Sequence, residues 1–314
     1  MPRSLVIDTD TGSDDAVALL MAARIPAAEV RAVTTVAGNV PLDQATRNAL
    51  VTLEVAGVPD VPVYAGLAKP LWRDLSTARQ VHGQDGMSDT SLPAPTRTPS
   101  ATHAVDALRQ IAAQEPGRHL LVTLGPLSNI ATALLLQPDL LTRFAGVVSM
   151  AGAFDGVGNV HAVGEYNVWA DPEAAELVIE APGLVTFVGW DIARRYAVIK
   201  PEDQETLRGL GPLGRFAVDI NRCLDAFART QSGLPGFDLP DPITMAVAID
   251  DRVALEREHV HVDIGTDDTG RGGTFVDRRL GAEPNAVVVS RADEVRFKQM
   301  LTEACTEGGS DEPG

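Results

Sequence analysis

The feature that most constrains the fold is a regular alternation of two residue patterns along residues 5–188. Short apolar runs, rich in Val, Ile and Leu, alternate with longer Ala- and Leu-rich stretches of helical spacing. Near-continuous apolar strands separated by helices are typical of a parallel sheet that is covered on both faces. The pattern predicts six strands, at Leu5–Asp8, Val30–Val36, Val61–Tyr64, Leu120–Leu124, Val147–Met150 and Leu184–Val188. It predicts helices between them, at Asp14–Arg24, Pro41–Ala56, Thr102–Ala113, Asn129–Leu136 and Pro172–Glu180.

The rest of the chain extends this pattern without a break that would mark a second domain. Residues 201–249 have a helical pattern that Gly233–Gly236 interrupts, and strands are predicted at His259–Ile264, Thr274–Val276 and Ala286–Val289. We therefore expect one α/β domain over residues 1–305, with a mainly parallel central sheet flanked by helices. We expect the polar segment 306–314 to be a disordered tail and the Gly-, Ser-, Pro- and Thr-rich stretch 83–100 to be a long loop, a candidate lid.

Four aspartates stand within eight residues at the end of the first predicted strand: Asp8, Asp10, Asp14 and Asp15. Ligands of parallel sheets bind at the carboxyl ends of the strands, so this is the first place to expect a site. Capping of the next helix accounts for one of the carboxylates, but several converging carboxylates repel one another unless a cation is present. Oxygen ligands with no Cys or nearby His favour a hard cation, Ca²⁺ or Mg²⁺.

Two other interpretations of this cluster can be compared with its spacing. An EF-hand loop that started at Asp8 would need Gly at its sixth position and Glu at its twelfth, where the chain has Ser13 and Leu19. That interpretation fails. The segment Asp8-Thr9-Asp10 also matches the Asp-x-Asp of haloacid-dehalogenase phosphatases, which usually have Thr or Val two residues further on, where this chain has Gly12. Phosphatase activity is therefore a less favoured alternative.

Charge and cysteine content limit the possible partners. The 26 Lys and Arg residues against 43 Asp and Glu give a net charge of −17. Binding to a phosphate backbone or an anionic membrane needs clustered cations, so we expect neither a nucleic-acid polymer nor a membrane as a partner. Two cysteines, Cys223 and Cys305, are too few for a disulfide framework or a Cys-based zinc site. With no signal-like start or long apolar run, we expect a cytoplasmic protein that acts on a small molecule.

Residues Asp8–Ala16 carry the arrangement Asp-x-Asp-x-Gly-x-Asp-Asp-Ala. With further blocks in the same order, the chain resembles the inosine–uridine-preferring nucleoside hydrolase family over nearly its whole length. Those blocks are Gly38-Asn39, Val81-His82-Gly83, Leu124–Ala131, Met150–Phe154, Asn159, Glu165–Asn167, Asp171–Ala175, Asp241-Pro242 and Gly272–Arg279. The resemblance implies a calcium-dependent enzyme that hydrolyses the N-glycosidic bond of a ribonucleoside to free base and ribose.

The resemblance also implies roles for individual residues. One Ca²⁺ would be held by Asp10, Asp15, the backbone carbonyl of Leu124, and Asp241. Two ribose hydroxyls and a water would complete its shell, so that a cis-diol is required, and Asp10 would act as general base for that water. Substrate-binding roles are implied for Asp14, Asn39, Met150, Asn159, Glu165 and Asn167. Family members commonly form homodimers or homotetramers, and we expect the same of this chain.

One position departs from the family pattern. Many members carry His directly before the last metal-binding Asp, where it can protonate the departing base; this chain has Pro240, which has no acidic group. His82 is the candidate catalytic acid that remains, and a structural hydrogen bond is its alternative role. Trp190 is a candidate for stacking on the base, with core packing as its alternative. Further candidates for the base pocket are Arg222, Asp225, Phe227, Arg229 and Gln231.

The leading interpretation is therefore a calcium-dependent N-ribosyl hydrolase. Breaking a C1′–N bond builds positive charge on the ribose, and a ring of carboxylates and amide oxygens stabilises that charge more than it stabilises the neutral substrate. Two alternatives stay open. The same site could act on a non-standard or activated N-riboside whose leaving group needs no acid, or the chain could bind ribonucleosides without catalysis.

Overall fold

The computed structural model describes residues 2–306, and its centre is a sheet of nine strands. Seven parallel strands are β1 (Arg3–Thr9), β2 (Ala28–Thr35), β3 (Val63–Ala65), β4 (Leu120–Thr123), β5 (Gly146–Met150), β6 (Val185–Val188) and β11 (Ala286–Ala292). β9 (Ala254–Ile264) runs antiparallel to β11, and β10 (Thr274–Asp277) runs antiparallel to β9. A separate antiparallel pair is formed by β7 (Val198–Ile199) and β8 (Phe237–Asp238). The predicted fold class, a mainly parallel sheet flanked by helices, is confirmed.

The strand order is β10-β9-β11-β6-β5-β4-β1-β2-β3, so β1 lies inside the sheet between β4 and β2. Asp8, near the end of β1, pairs with Thr34 of β2 and with Thr123 of β4. The carboxyl ends of these three neighbouring strands therefore meet at one edge, and the segments that follow them are brought side by side. The aspartates at the end of the first strand therefore lie in the middle of that edge.

Thirteen α-helices of the described residues surround the sheet. They are α1 (Ser13–Arg24), α2 (Leu42–Val55), α3 (Arg79–His82), α4 (Ala104–Gln114), α5 (Ser128–Leu136), α6 (Tyr166–Ala170), α7 (Pro172–Ile179), α8 (Trp190–Tyr196), α9 (Pro201–Gly209), α10 (Pro212–Asp219), α11 (Arg222–Phe227), α12 (Pro240–Ile249) and α13 (Glu294–Cys305). The six strands and five helices predicted within residues 5–188 are all present, with ends that agree within two residues.

Two hydrophobic clusters cover the two faces of the sheet. Successive side chains of a strand point to opposite faces, so Leu5 and Ile7 of β1 lie in one cluster and Val6 lies in the other. The first cluster contains residues of α1, α2, α10, α12 and α13, and the second contains residues of α4, α5 and α7. This double covering is the reason that the strands are apolar without alternation. Among the described residues, no helix is both long and apolar enough to cross a membrane.

The C-terminal half differs from the prediction in two places. The region 201–249 is not simply helical, because α11 continues into a π-helical turn, Ala228–Ser232, and β8 follows before α12. β9 begins at Ala254 rather than at His259, since its first part is exposed and carries charged residues that hide a strand pattern. The stretch 83–100 is a loop as predicted. Within it, Ser88 Oγ donates a hydrogen bond of 2.5 Å to the Ile220 carbonyl. Most of the predicted disordered tail, 307–314, lies outside the described residues.

Candidate active site

A cavity of about 240 Å³ opens at the carboxyl edge of the sheet. Its wall is built from residues that directly follow successive strands, among them Asp14 after β1, Asn39 after β2, Leu124 after β4 and Trp190 after β6. This volume is slightly below the ~300–1,000 Å³ of sites for drug-sized ligands and suits a small polar molecule. The predicted location of the site therefore coincides with a cavity of the structure.

Three buried carboxylates meet at the bottom of this cavity. One oxygen each of Asp14, Asp15 and Asp241 lies within 4.8 Å of the others, and all three side chains are at most 5% exposed. Asp15 lies next to the carboxyls of Asp10 and Asp241, which both influence its pKa. These residues come from the first turns of α1 and α12 and from the end of β1, where helix N-termini favour negative charge. The structure therefore places Asp10, Asp14, Asp15 and Asp241 close together, and Asp8 is not among them.

Asp10 lies in a close-fitting cradle of backbone. Its Oδ2 accepts a hydrogen bond of 2.6 Å from the Asn39 amide, whereas its buried Oδ1 has no partner. A Cβ added at Gly38 would lie 2.0 Å from Oδ2, and one added at Gly125 would lie 2.8 Å from Oδ1. Glycine is thus required on both sides, and the carboxylate is held in one position.

The electrostatics of the cluster call for a cation. Burial raises the pKa of Asp10, Asp14 and Asp241 well above the usual range, and the charge of Asp15 raises each of them further. No Lys or Arg belongs to the wall of the cavity in the described part of the chain. Asp10 Oδ1 and Asp14 Oδ1 are both buried without a partner. Separations of at most 4.8 Å between ligand oxygens are compatible with calcium–oxygen bonds of ~2.3–2.6 Å, so the residues fit a hard divalent cation with oxygen ligands.

A second polar group stands on the other side of the cavity, around α6. Asn167 donates from Nδ2 to the Leu124 carbonyl at 2.7 Å and to the Met150 carbonyl at 3.0 Å. Glu165 caps α6, accepting hydrogen bonds from the amides of Gly152 at 2.8 Å and of Asn167 at 2.9 Å. Burial raises the pKa of Glu165 to about 7. These bonds fix the carboxylate and amide that face the ligand space.

The other predicted substrate-binding residues also line the cavity. Asn39 is 7% exposed, and its Nδ2 lies 3.3 Å from Asp15 Oδ2. Met150 is 2% exposed at the end of β5. Asn159 lies in an exposed loop, and its Oδ1 accepts a hydrogen bond of 2.9 Å from the Tyr166 amide. This contact holds the loop against the start of α6.

His82 lies in the wall of the cavity. Its Nδ1 is 2.9 Å from Ser13 Oγ and 3.7 Å from Asp14 Oδ1. Burial lowers its pKa to about 4, so the ring is neutral at pH 7. A neutral ring here can orient Ser13 by hydrogen bonding, and it lies beside the unpartnered Asp14 Oδ1.

Asp8 belongs to the same motif but faces away from the cavity. Its Oδ1 accepts hydrogen bonds from Thr34 Oγ1 at 2.5 Å and from Asn129 Nδ2 at 2.8 Å. Asn129 also donates to the Thr35 carbonyl at 3.0 Å. Asp8 therefore ties β1, β2 and α5 together beneath the site.

Of the base-pocket candidates on the helical stretch, Phe227 lines the cavity. Asp225 pairs with Arg229 at 2.8 Å, and Arg222 donates to the Ser88 carbonyl at 3.3 Å, so these three side chains have structural partners. Gln231 is exposed and, like them, is absent from the wall.

The sequence analysis did not name Tyr166 and Asp238 as site residues, although both lie in the wall of the cavity. Tyr166 donates its hydroxyl to the Ser76 carbonyl at 2.7 Å, joining α6 to the segment before α3. Asp238, on the two-residue strand β8, accepts a 2.7 Å hydrogen bond from the indole of Trp190. A strand of two residues has no periodicity that a sequence could reveal, and these contacts join segments far apart in the chain.

The fold and the site together define an α/β enzyme with a carboxylate-lined pocket for a small polar ligand. The family model described as inosine-uridine preferring nucleoside hydrolase matches residues 5–299. The chain therefore belongs to this family of nucleoside hydrolases and is an N-glycosyl hydrolase.

Individual relatives agree with this membership. The pyrimidine-specific ribonucleoside hydrolase RihA of Klebsiella pneumoniae is 34% identical over 310 residues, which cover 96% of this chain and 98% of that protein. A solved plant nucleoside hydrolase, the PpNRh1 enzyme, superposes with a TM-score of 0.93 at 31% identity, covering 98% of this chain and 100% of that one. The purine-preferring ribonucleoside hydrolase from Gardnerella vaginalis superposes with a TM-score of 0.90 at 29% identity, covering 96% and 98% respectively.

Proposed function

We propose that this enzyme hydrolyses the N-glycosidic bond of a ribonucleoside with a calcium-activated water, giving free base and ribose. One observation carries the proposal: buried carboxylates converge at the bottom of a nucleoside-sized cavity, and two of their oxygens have no partner. The opposite wall supplies a fixed carboxylate and a fixed amide, Glu165 and Asn167. A metal, a polyhydroxylated sugar and a water together would satisfy these groups.

The metal ligands of the proposal are Asp10, Asp15, the Leu124 carbonyl and Asp241. All four donors are oxygens, and Asp15 and Asp241 belong to the group whose oxygens lie within 4.8 Å of one another, which suits the larger, more flexible shell of Ca²⁺. When bound, Ca²⁺ supplies positive charge that lowers the pKa of a water and attracts two neighbouring hydroxyls. The requirement for two hydroxyls makes 2′-deoxyribosides poor substrates, because a missing hydroxyl leaves buried polar groups unpaired.

Asp10 is the proposed general base. Its Oδ2 is held by the Asn39 amide, so the free Oδ1 is the atom that receives a proton from the attacking water. The glycine cradle prevents the carboxylate from turning away. A base fixed in this way needs no reorganisation when the proton moves.

The remaining residues bind the sugar. Asp14, Asn39 and Asn167 present carboxylate and amide groups to the hydroxyls, and Met150 packs beneath the ring. Glu165 and Asn159 hold the side near α6. As the C1′–N bond breaks, the ribose becomes positively charged, and these oxygens stabilise that charge.

The test is release of reducing sugar from inosine, adenosine, guanosine, uridine and cytidine, with added Ca²⁺ and with chelator. We expect turnover that requires Ca²⁺, and a loss of ~10²–10⁴-fold in Asp10→Asn, the range of general acid–base catalysis. The 2′-deoxy analogue of the best substrate is the matched control for the diol. Turnover of Asp10→Asn at the wild-type rate would contradict the mechanism. The panel also determines the preferred base.

Pro240 supports a second candidate, an activated or non-standard N-riboside. The residue lines the cavity at the first position of α12 and offers no proton. A steep preference for good leaving groups, with inert inosine and uridine, would favour this candidate. Tight binding in calorimetry without sugar release would instead indicate a binding protein, and phosphate release from an aryl phosphate would indicate a phosphatase.

We further propose a homodimer or homotetramer in the cytoplasm that serves purine or pyrimidine salvage. Support comes from the free thiols Cys223 and Cys305, which fit a reducing compartment, and from large apolar side chains on the surface. Trp72 is 84% exposed and Leu135 is 63% exposed. Light scattering after size exclusion measures the assembly, and a monomer at micromolar concentration would contradict it.

A further inference from the structure

The departing base needs a proton unless it is a good leaving group, and Pro240 cannot supply one. The wall of the cavity holds one buried carboxyl that the proposed mechanism does not use, that of Asp238. This side chain is 5% exposed, and its Oδ2 accepts a hydrogen bond of 2.7 Å from Trp190 Nε1.

The path of the backbone directs Asp238 toward the ligand space. Phe237 and Leu239 are both 1% exposed in the core, whereas Asp238 and Pro240 line the cavity. Side chains alternate in direction along an extended segment. Asp238 stands two positions before Pro240, so its carboxyl projects on the same side of the chain as that residue.

The other titratable groups of the wall are committed elsewhere. Asp14 and Asp241 belong to the carboxylate cluster. Both oxygens of Glu165 accept backbone hydrogen bonds, and the Tyr166 hydroxyl donates to a carbonyl. His82 binds Ser13 and faces the cluster. Among the described titratable residues of the wall, this leaves Asp238.

We propose that the carboxyl of Asp238 is the leaving-group acid of this enzyme and that Trp190 is the residue that positions it. This inference rests on the proposed function. The C1′–N bond breaks with its electron pair on the base nitrogen, which takes the proton from Asp238 Oδ1. The water adds its hydroxyl to C1′ and gives its proton to Asp10. Asp10 then releases its proton to solvent and Asp238 regains one from solvent, so the sum of the steps consumes one water.

The surroundings of Asp238 shift its pKa in opposite directions. Burial raises its pKa. Asp14 lines the same cavity from α1, and the negative charge of Asp238 raises the pKa of that carboxyl. The Trp190 N–H and the charge of Arg194, 4.9 Å from the indole centroid, lower the pKa. Asp155 pairs with Arg194 and so reduces the effect of that cation. Because burial raises its pKa, this carboxyl holds its proton more readily than an exposed aspartate does.

The experiment compares two substrates that differ in leaving group. Asp238→Asn keeps the size of the side chain and an oxygen for Trp190 but removes the acidic proton. We expect at least ~100-fold loss of kcat/KM on the best natural nucleoside and less than about threefold loss on p-nitrophenyl riboside, whose leaving group needs no acid. Equal losses on both substrates, or no loss on either, would overturn the assignment.

Two controls distinguish the loss of an acid at Asp238 from a general folding defect and from a role of His82 as the acid. Asp191→Asn removes a neighbouring buried carboxyl that bonds to the Phe154 amide outside the cavity wall, and we expect any effect to be the same on both substrates. A leaving-group-selective loss in His82→Gln, with none in Asp238→Asn, would make His82 the acid and overturn the proposal. Failure of the wild type to cleave p-nitrophenyl riboside would count against the proposed function itself.

A second variant, Trp190→Phe, tests the positioning role of Trp190. It also keeps the proposal testable if Asp238→Asn does not fold. Trp190→Phe keeps an aromatic ring but removes the N–H that favours the ionised carboxylate. The pKa of Asp238 should then rise, and the alkaline limb of the kcat/KM profile on the natural nucleoside should move to higher pH, with no such shift on p-nitrophenyl riboside. An unchanged profile would refute the role of Trp190, and the same shift on both substrates would refute the acid assignment.

Discussion

Replacing Gly38 by Ala should inactivate the enzyme through the position of a single carboxylate. The added Cβ would lie 2.0 Å from Asp10 Oδ2, and real Cβ contacts are essentially never below 3.0 Å, so the carboxylate must move by about 1 Å. That movement breaks the 2.6 Å bond to the Asn39 amide. A misplacement of ~1 Å can cost ~10²-fold in rate, which corresponds to about 2.7 kcal/mol of transition-state free energy.

The assay is kcat on the best nucleoside, with the melting temperature measured in parallel. Gly209→Ala is the matched control, because its added Cβ meets nothing within 4 Å, and we expect unchanged kcat and equal or higher stability. If Gly38→Ala retains wild-type kcat, the carboxylate is not fixed by this cradle and the reasoning fails. If kcat falls only in proportion to the folded fraction, the effect is one of stability.

Three further predictions concern protonation, metal and thiols. Burial raises the pKa of Glu165 from 4.5 in the unfolded chain to about 7, so its contribution to stability is present below pH 4.5 and is lost as the pH rises to 7. Denaturant titrations without metal should show that the free energy of unfolding changes by about 3 kcal/mol less over that pH range in Glu165→Ala than in the wild type. Calcium at 100 times its Kd should stabilise the folded state by about 2.7 kcal/mol, and an unchanged melting temperature with Ca²⁺ or chelator would contradict the metal site. Burial raises the pKa of Cys305 to about 12, so a disulfide reagent at pH 8 should modify Cys223 first, and equal rates would refute this difference.

The parallel core was predictable from sequence because each of its elements has a local pattern. β1 and α1 carry apolar runs and a dense acidic motif in adjacent positions, and the rule for the carboxyl edge of a sheet places that motif in a cavity. Local sequence signals of this kind do not depend on where the rest of the chain lies. The motif and its oxygen chemistry therefore predicted the position of the carboxylate cluster.

The part of the site around β8 was not predictable in the same way. Asp238 is one aspartate among many in an acidic chain, and its place is set by Trp190, 48 residues earlier, and by Ile199 and Val198 of β7. Pairing over such distances leaves no periodic trace in the sequence. The charged start of β9 was missed for a related reason, since an exposed edge segment lacks the alternation that a half-buried strand shows.

The contact between α1 and α12 has a consequence for how the protein is made. These helices pack together and bring Asp14 and Asp15 to Asp241, although the chain is synthesised from its N-terminus. A nascent chain on the ribosome carries the first aspartates long before the last one emerges. Contacts between such distant segments form late in folding. The carboxylates that we propose as metal ligands therefore come together only in the nearly complete chain, and partly synthesised molecules lack the full set.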